Sequence, residues 1–206
     1  SPTASPNILI NQGEGLQIME NHGAININAN DQTLTKLLQS MFGTAPAGVP
    51  VTHTLEWASL CRTHYCLFVL ENEEFKDGVF SIAKDRALLK YTPQDIRSRY
   101  KNICPETIEE LRQMPCIFAK RNMYYKRTEE HHPFLAGRIC DIVPQGESIK
   151  IYFCAFQAIP QQLLNQNIQS LRMASSALRN ELDEEHWSIK ECDLPGVFAS
   201  LDIEIK

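Results

Sequence analysis

Apolar and polar residues alternate most regularly between residues 115 and 156, and the alternation predicts three consecutive strands of a small curved sheet at 115–122, 135–143 and 148–155. The last two read as a hairpin. Ile149, Ile151 and Phe153 alternate with Lys150 and Tyr152, while Arg138 and Asp141 punctuate an apolar run from Ala136 to Val143. Between them, Pro144-Gln145-Gly146-Glu147 supplies a proline to fix φ and a glycine for positive φ, which is turn chemistry.

Upstream of that sheet, an unbroken apolar run from Tyr65 to Leu70 has the length of a fully buried strand, and Val79, Phe80 and Ile82 suggest a return strand after Gly78. Short helices are expected over 53–62, after Thr92-Pro93, and from Pro105 to about Met114. Downstream, Leu163, Leu164, Ile168 and Leu171 recur at helical spacing, which predicts a longer helix starting at Pro160. A closing strand at 187–192 and a terminal helix at 195–201 complete the body. The fold class predicted is α+β: a small curved or barrel-like sheet of OB or SH3-like character, with an open sheet carrying helices on one face as the alternative.

The N-terminal part follows another rhythm. Ile8-Leu9-Ile10, Leu16-Gln17-Ile18 and Ile25-Asn26-Ile27 are apolar-x-apolar triplets separated by Gly13, Gly15 and Gly23 among Asn and Gln. They predict a short β-ribbon, too small to be stable in water unless it packs on something. Two readings follow: a meander on the chain's own surface, or a ribbon that pairs with copies of itself or a partner by strand addition. The second makes Ile8, Ile10, Leu16, Ile18, Ile25 and Ile27 the partner-binding residues. An amphipathic helix follows, with Leu34, Leu37, Leu38, Met41 and Phe42 on one face and Gly43 ending it. Residues 43–51, with two prolines and two glycines, read as a linker. The expected organisation is therefore a ribbon and helix at 1–42, a linker at 43–51 and an α+β body at 52–206.

Composition narrows the function classes. At 206 residues, 43% hydrophobic and 22% charged, the chain is ordinary globular material. A net charge of −5, spread along the chain, argues against a general polyanion binder and confines any nucleic-acid surface to a local patch. No apolar run approaches a membrane span of about 20 residues, so no membrane partner is expected. Of the seven cysteines, Cys66, Cys116, Cys140, Cys154 and Cys192 sit in apolar strand-like runs, the pattern of reduced thiols in a cytosolic protein. The start at Ser1 without a methionine reads as a piece of a longer protein.

Candidate chemistry is sparse. The densest basic-aromatic stretch contains Lys120, Arg121, Tyr124, Tyr125, Lys126 and Arg127, cations for phosphates and rings for base stacking, although Glu129 and Glu130 offset part of the charge. The competing reading is a solvated loop. His131-His132 and Cys61-x-x-His64-x-Cys66 resemble metal ligands in composition only, lacking a second pair at a zinc spacing. A Cys/His catalytic pair would need His64, His131, His132 or His186 folded against a partly exposed thiol. Glu74-Phe75-Lys76 matches the glutamate-x-lysine step of metal-dependent nucleases without an upstream aspartate to complete it. The stretch 181–187 sets four acids before His186 and Trp187, and Trp187 is expected to close the sheet. No cofactor motif occurs and none is expected.

Several of these stretches carry a resemblance. Residues 137–142, Ile149-Lys150-Ile151, residues 159–163, Glu181-Leu182 and residues 186–190 are similar to a module of bacterial conflict and anti-phage proteins, and the N-terminal triplets resemble short segments found beside effector or sensor domains in such systems. The resemblance implies an assembly or recognition role in bacterial immunity and brings no catalytic residues with it. The expected function is a non-enzymatic interaction module whose ribbon mediates homo-oligomerisation or docking to a protein partner. The alternatives are a nucleic-acid or nucleotide binder using 118–127, and a metal-dependent nuclease using Glu74 and Lys76.

Overall fold

A computed structural model describes residues 53–71, 75, 77–88 and 90–206 in full, and residues 6–10 and 16–20 as backbone. The triplet of Ile25 and Ile27, the amphipathic helix at 34–42, the linker at 43–51, and Glu74 and Lys76 lie outside the described residues. Chain contacts separate residues 1–51 from residues 52–206 as two compact units.

In the first unit, β1 (Pro6–Ile10) and β2 (Leu16–Glu20) pair antiparallel in a two-stranded sheet of their own. The register sets Ile8 opposite Ile18 and Ile10 opposite Leu16.

The second unit is a six-stranded open sheet in the order β4-β7-β6-β5-β3-β8, comprising β3 (His64–Leu70), β4 (Val79–Ala83), β5 (Pro115–Lys120), β6 (Pro133–Gln145), β7 (Ser148–Pro160) and β8 (His186–Glu191). It does not close into a barrel, and helices pack on both faces rather than one. The cause lies at the centre, where β3 and β5 pair parallel while the other neighbours run antiparallel. A parallel pair is covered on both sides. Accordingly Cys66, Phe68 and Leu70 enter one core with Phe80, Phe118, Ile151 and Trp187, and Tyr65, Leu67 and Val69 enter the other with Trp57, Phe134, Leu182 and Phe198. Every residue from Tyr65 to Leu70 is inaccessible to solvent, which explains the unbroken apolar run. Burying a side chain such as Leu67 or Phe68 contributes roughly 1.5–3 kcal/mol.

The first core is covered by α2 (Gln94–Tyr100) and α3 (Pro105–Arg112), which bury Ile96, Tyr100 and Leu111. The second is covered by α1 (Thr54–Ala58), α4 (Gln162–Gln166) and α5 (Leu194–Ser200), which bury Trp57, Leu164 and Phe198. The helix expected from Pro160 is a single short turn. The side chain of Asn167 donates to the Leu163 carbonyl, Arg172 takes a left-handed φ of +58°, and the intervening apolar residues reach the core through successive turns.

The β6–β7 hairpin is longer than the alternation predicts, 13 residues a strand, because two register shifts bend it around the core. One shift falls at Gly137, where a Cβ would meet the Cys154 carbonyl oxygen at 2.1 Å, so only glycine fits. The hairpin turns through Gly146 at φ +55°. At the opposite side of the sheet, Ala87, Leu88 and Thr92 lie along the outer edge of β8. The Leu88 amide donates to the Trp187 carbonyl at 2.9 Å, and the Ile189 amide donates to Thr92 Oγ1 at 3.2 Å. Trp187 itself stacks on Phe68 at 5.1 Å, fully buried, with its indole N–H lacking an acceptor among the described residues.

Candidate functional site

The basic-aromatic stretch leaves β5 as a loop that is tied down along its length. Arg121 pairs with Glu71 at 2.8 Å. The Asn122 amide donates to Asn165 and Asp183 side chains at 2.9 and 2.7 Å, and the backbone N–H of Lys126, at φ +64°, donates to the same Asp183 oxygen at 2.9 Å. Lys126 Nζ donates to the Ser176 carbonyl at 2.5 Å, and the Arg127 guanidinium lies 5.4 Å from the centre of the Tyr124 ring. Tyr124 and Tyr125 remain 58% and 64% exposed. The fold brings one cation to this patch that the sequence pattern does not connect with it: Arg179, 4.9 Å from the Tyr125 ring centre.

The 181–187 stretch proves to be a buried polar network. Glu181 Oε1 accepts from His186 Nε2 at 2.9 Å, Ser188 Oγ at 2.8 Å and Lys190 Nζ at 2.6 Å, and Oε2 accepts from the Ala174 amide at 2.8 Å. None of the four residues is more than 4% exposed. Burial pushes the Glu181 carboxyl up, but the His186 hydrogen bond and the Lys190 charge outweigh it and hold the group below the ordinary carboxylate range. Burial lowers Lys190. Ser188 and His186 both address the carboxylate rather than each other, so no nucleophile and base are aligned, and substrate has no access. The signal in the sequence is the period-2 recurrence of His186, Ser188 and Lys190 against Trp187 and Ile189.

One thiol and one histidine share a hydroxyl neighbour. Cys61 Sγ lies 3.1 Å from Thr63 Oγ1, which lies 2.9 Å from His64 Nδ1. Burial raises the Cys61 thiol, yet hydrogen bonds from Thr63 and the His64 backbone bring it below its ordinary value. His132 is half-buried beside Lys120, and burial together with that charge lowers it. Cys66, Cys116 and Cys192 are buried, and burial pushes the last two up. Among the described residues no three His, Cys, Asp or Glu side chains gather as a metal site.

A recess lies between α2 and the tip of the β6–β7 hairpin, with a volume of about 610 Å³. Its floor is apolar, from Ala87, Leu88, Ile103, Pro144 and Ile149, and Leu88 holds a left-handed φ of +61° there. Lys84, Arg97 and Lys101 bring three cations to its walls. Arg97 Nε is buried and has no hydrogen-bond partner among the described residues. The Tyr100 phenol in the wall donates to Glu110 Oε2 at 2.8 Å, and burial and that carboxylate push it up to about 12, so it stays neutral.

No protein-family model matches the chain, and neither a curated protein nor a solved structure matches it. Among the described residues no helix is long and apolar enough to cross a membrane.

Proposed function

We propose that this chain is a non-enzymatic interaction and assembly module, cytosolic and part of bacterial defence, in which the N-terminal ribbon pairs with further copies of itself or with a partner strand. The observation that carries the reading is the register of the ribbon, which sets Ile8 against Ile18 and Ile10 against Leu16 in a sheet of two strands. A two-stranded sheet of five-residue strands is marginal in water and gains most by adding strands. The defence role rests on the sequence resemblance alone. The test is the solution mass by light scattering across concentration and salt, with and without residues 1–30. An oligomer that falls to monomer on truncation supports the reading; an unchanged mass refutes it.

A second reading is favoured by the exposed pair Tyr124 and Tyr125 with Arg127 and Arg179 at their rings: single-stranded nucleic acid stacking on the 118–127 loop. Replacing Lys120, Arg121, Lys126 and Arg127 together with alanine should then abolish binding of a labelled oligonucleotide and its salt dependence. Binding that survives the substitution refutes it.

A further inference from the structure

We propose that the recess between α2 and the β6–β7 tip binds a phosphate-bearing small molecule with a flat apolar body, a nucleoside monophosphate in chemical class. The inference stands on residues apart from the ribbon and from the 118–127 loop. A volume of about 610 Å³ is that of a small-molecule site. In a chain of net charge −5, Lys84, Arg97 and Lys101 converge on it, and no carboxylate is among its described lining residues. Their near neighbours in sequence behave otherwise: Arg86 pairs with Glu185, Lys90 with Glu184 and Arg99 with Glu110. Among the described residues the three cations of the recess have no such partner. Arg97 is the most telling: it lines the recess with its guanidinium Nε buried and without an acceptor, a cost in free energy, and among the described residues no oxygen meets its outer nitrogens. A phosphate supplies several such oxygens and suits the guanidinium fork. Leu88, Ile103 and Ile149 then offer a floor for a planar ring, and Gln94, Ser98 and Asn102 offer amide and hydroxyl groups for its polar edge or sugar.

The test is calorimetric titration of the full chain with AMP, GMP and UMP, and with adenosine and inorganic phosphate as the two halves of a probe. At least one monophosphate should bind saturably, at least about tenfold more tightly than adenosine or phosphate, and more weakly in high salt. Arg97→Gln and Lys101→Ala should each weaken it about tenfold or more, the loss expected of one charge-assisted hydrogen bond. Ser98→Trp, from an exposed helix position lining the recess, should block it. Unchanged melting temperatures would show that these variants still fold. The proposal is overturned if none of the probes binds, if phosphate binds as tightly as the nucleotides, or if the recess variants bind like the parent. Loss of binding in a Lys126→Ala/Arg127→Ala variant, with the recess variants unaffected, would also overturn it. Oligomer mass does not enter this readout, so failure here and failure of the ribbon reading are separate results.

Discussion

Replacing Glu181 with glutamine tests whether the buried network holds β8 in place. The substitution keeps the shape and removes the charge. Four donors converge on the two carboxylate oxygens, three on Oε1 and the Ala174 amide on Oε2, whereas a glutamine offers one acceptor and adds two donors. In either amide orientation an N–H faces another donor. The ammonium of buried Lys190 keeps the Tyr91 carbonyl at 2.7 Å and the Tyr91 ring at 5.6 Å but no carboxylate among the described residues. Removing one partner of a buried ion pair costs about 3–5 kcal/mol. The lysine can escape by losing its proton, but neutralising an ordinary lysine at pH 7 costs about 4.6 kcal/mol, so the two routes agree. A domain of this kind is stable by roughly 5–15 kcal/mol, so the variant should lose about a fifth or more of its stability and roughly 10 °C in Tm. Urea unfolding followed by tryptophan fluorescence is the assay, since both tryptophans, Trp57 and Trp187, are buried. Adding Lys190→Met should restore much of the loss, giving a coupling energy above about 2 kcal/mol. A loss below about 1 kcal/mol, or additive single and double variants, would refute this account.

Other outcomes follow from the same structure. Because the Glu181 carboxyl is lower in the folded state than in the unfolded chain, the unfolded chain takes up the proton first as pH falls. Its contribution is complete above the ordinary carboxylate range and is lost as pH drops through the folded value, so the urea midpoint should fall on acidification and fall less in Glu181→Gln; parallel curves would contradict this. Gly137→Ala should destabilise by roughly 3 kcal/mol through the Cys154 carbonyl contact, checked by the same unfolding assay, and a neutral result would show that the hairpin can shift. Cys61, partly exposed and lowered by its Thr63 hydrogen bonds, should be alkylated by iodoacetamide before Cys66, Cys116 and Cys192 under native conditions, as peptide mass mapping would show.

What the sequence revealed depended on whether a pattern had one physical meaning. Ile149, Ile151 and Phe153 sit on one buried face of β7, and Tyr65 to Leu70 on a strand buried from both sides, as their patterns predict. Leu163, Leu164, Ile168 and Leu171 are buried or half-buried as predicted, but their spacing suits successive turns as well as a helix, and the structure uses turns. The open sheet was the alternative the sequence allowed, but its strand order was hidden because β4 returns to β7 rather than β3, and because the parallel pairing of Cys66 with Cys116 leaves no local mark. The recess was hidden for a similar reason. Lys84, Arg97 and Lys101 stand beside Asp85 and Asp95 in sequence, and only folding turns the cations inward without lining the recess with those acids.

The chain lying along β8 closes that border of the sheet to another strand. An incoming strand at that border would have to displace Ala87, Leu88 and Thr92 from Trp187 and Ile189 before finding a hydrogen-bonding row to extend. The body is thus a poor template for strand addition on that flank.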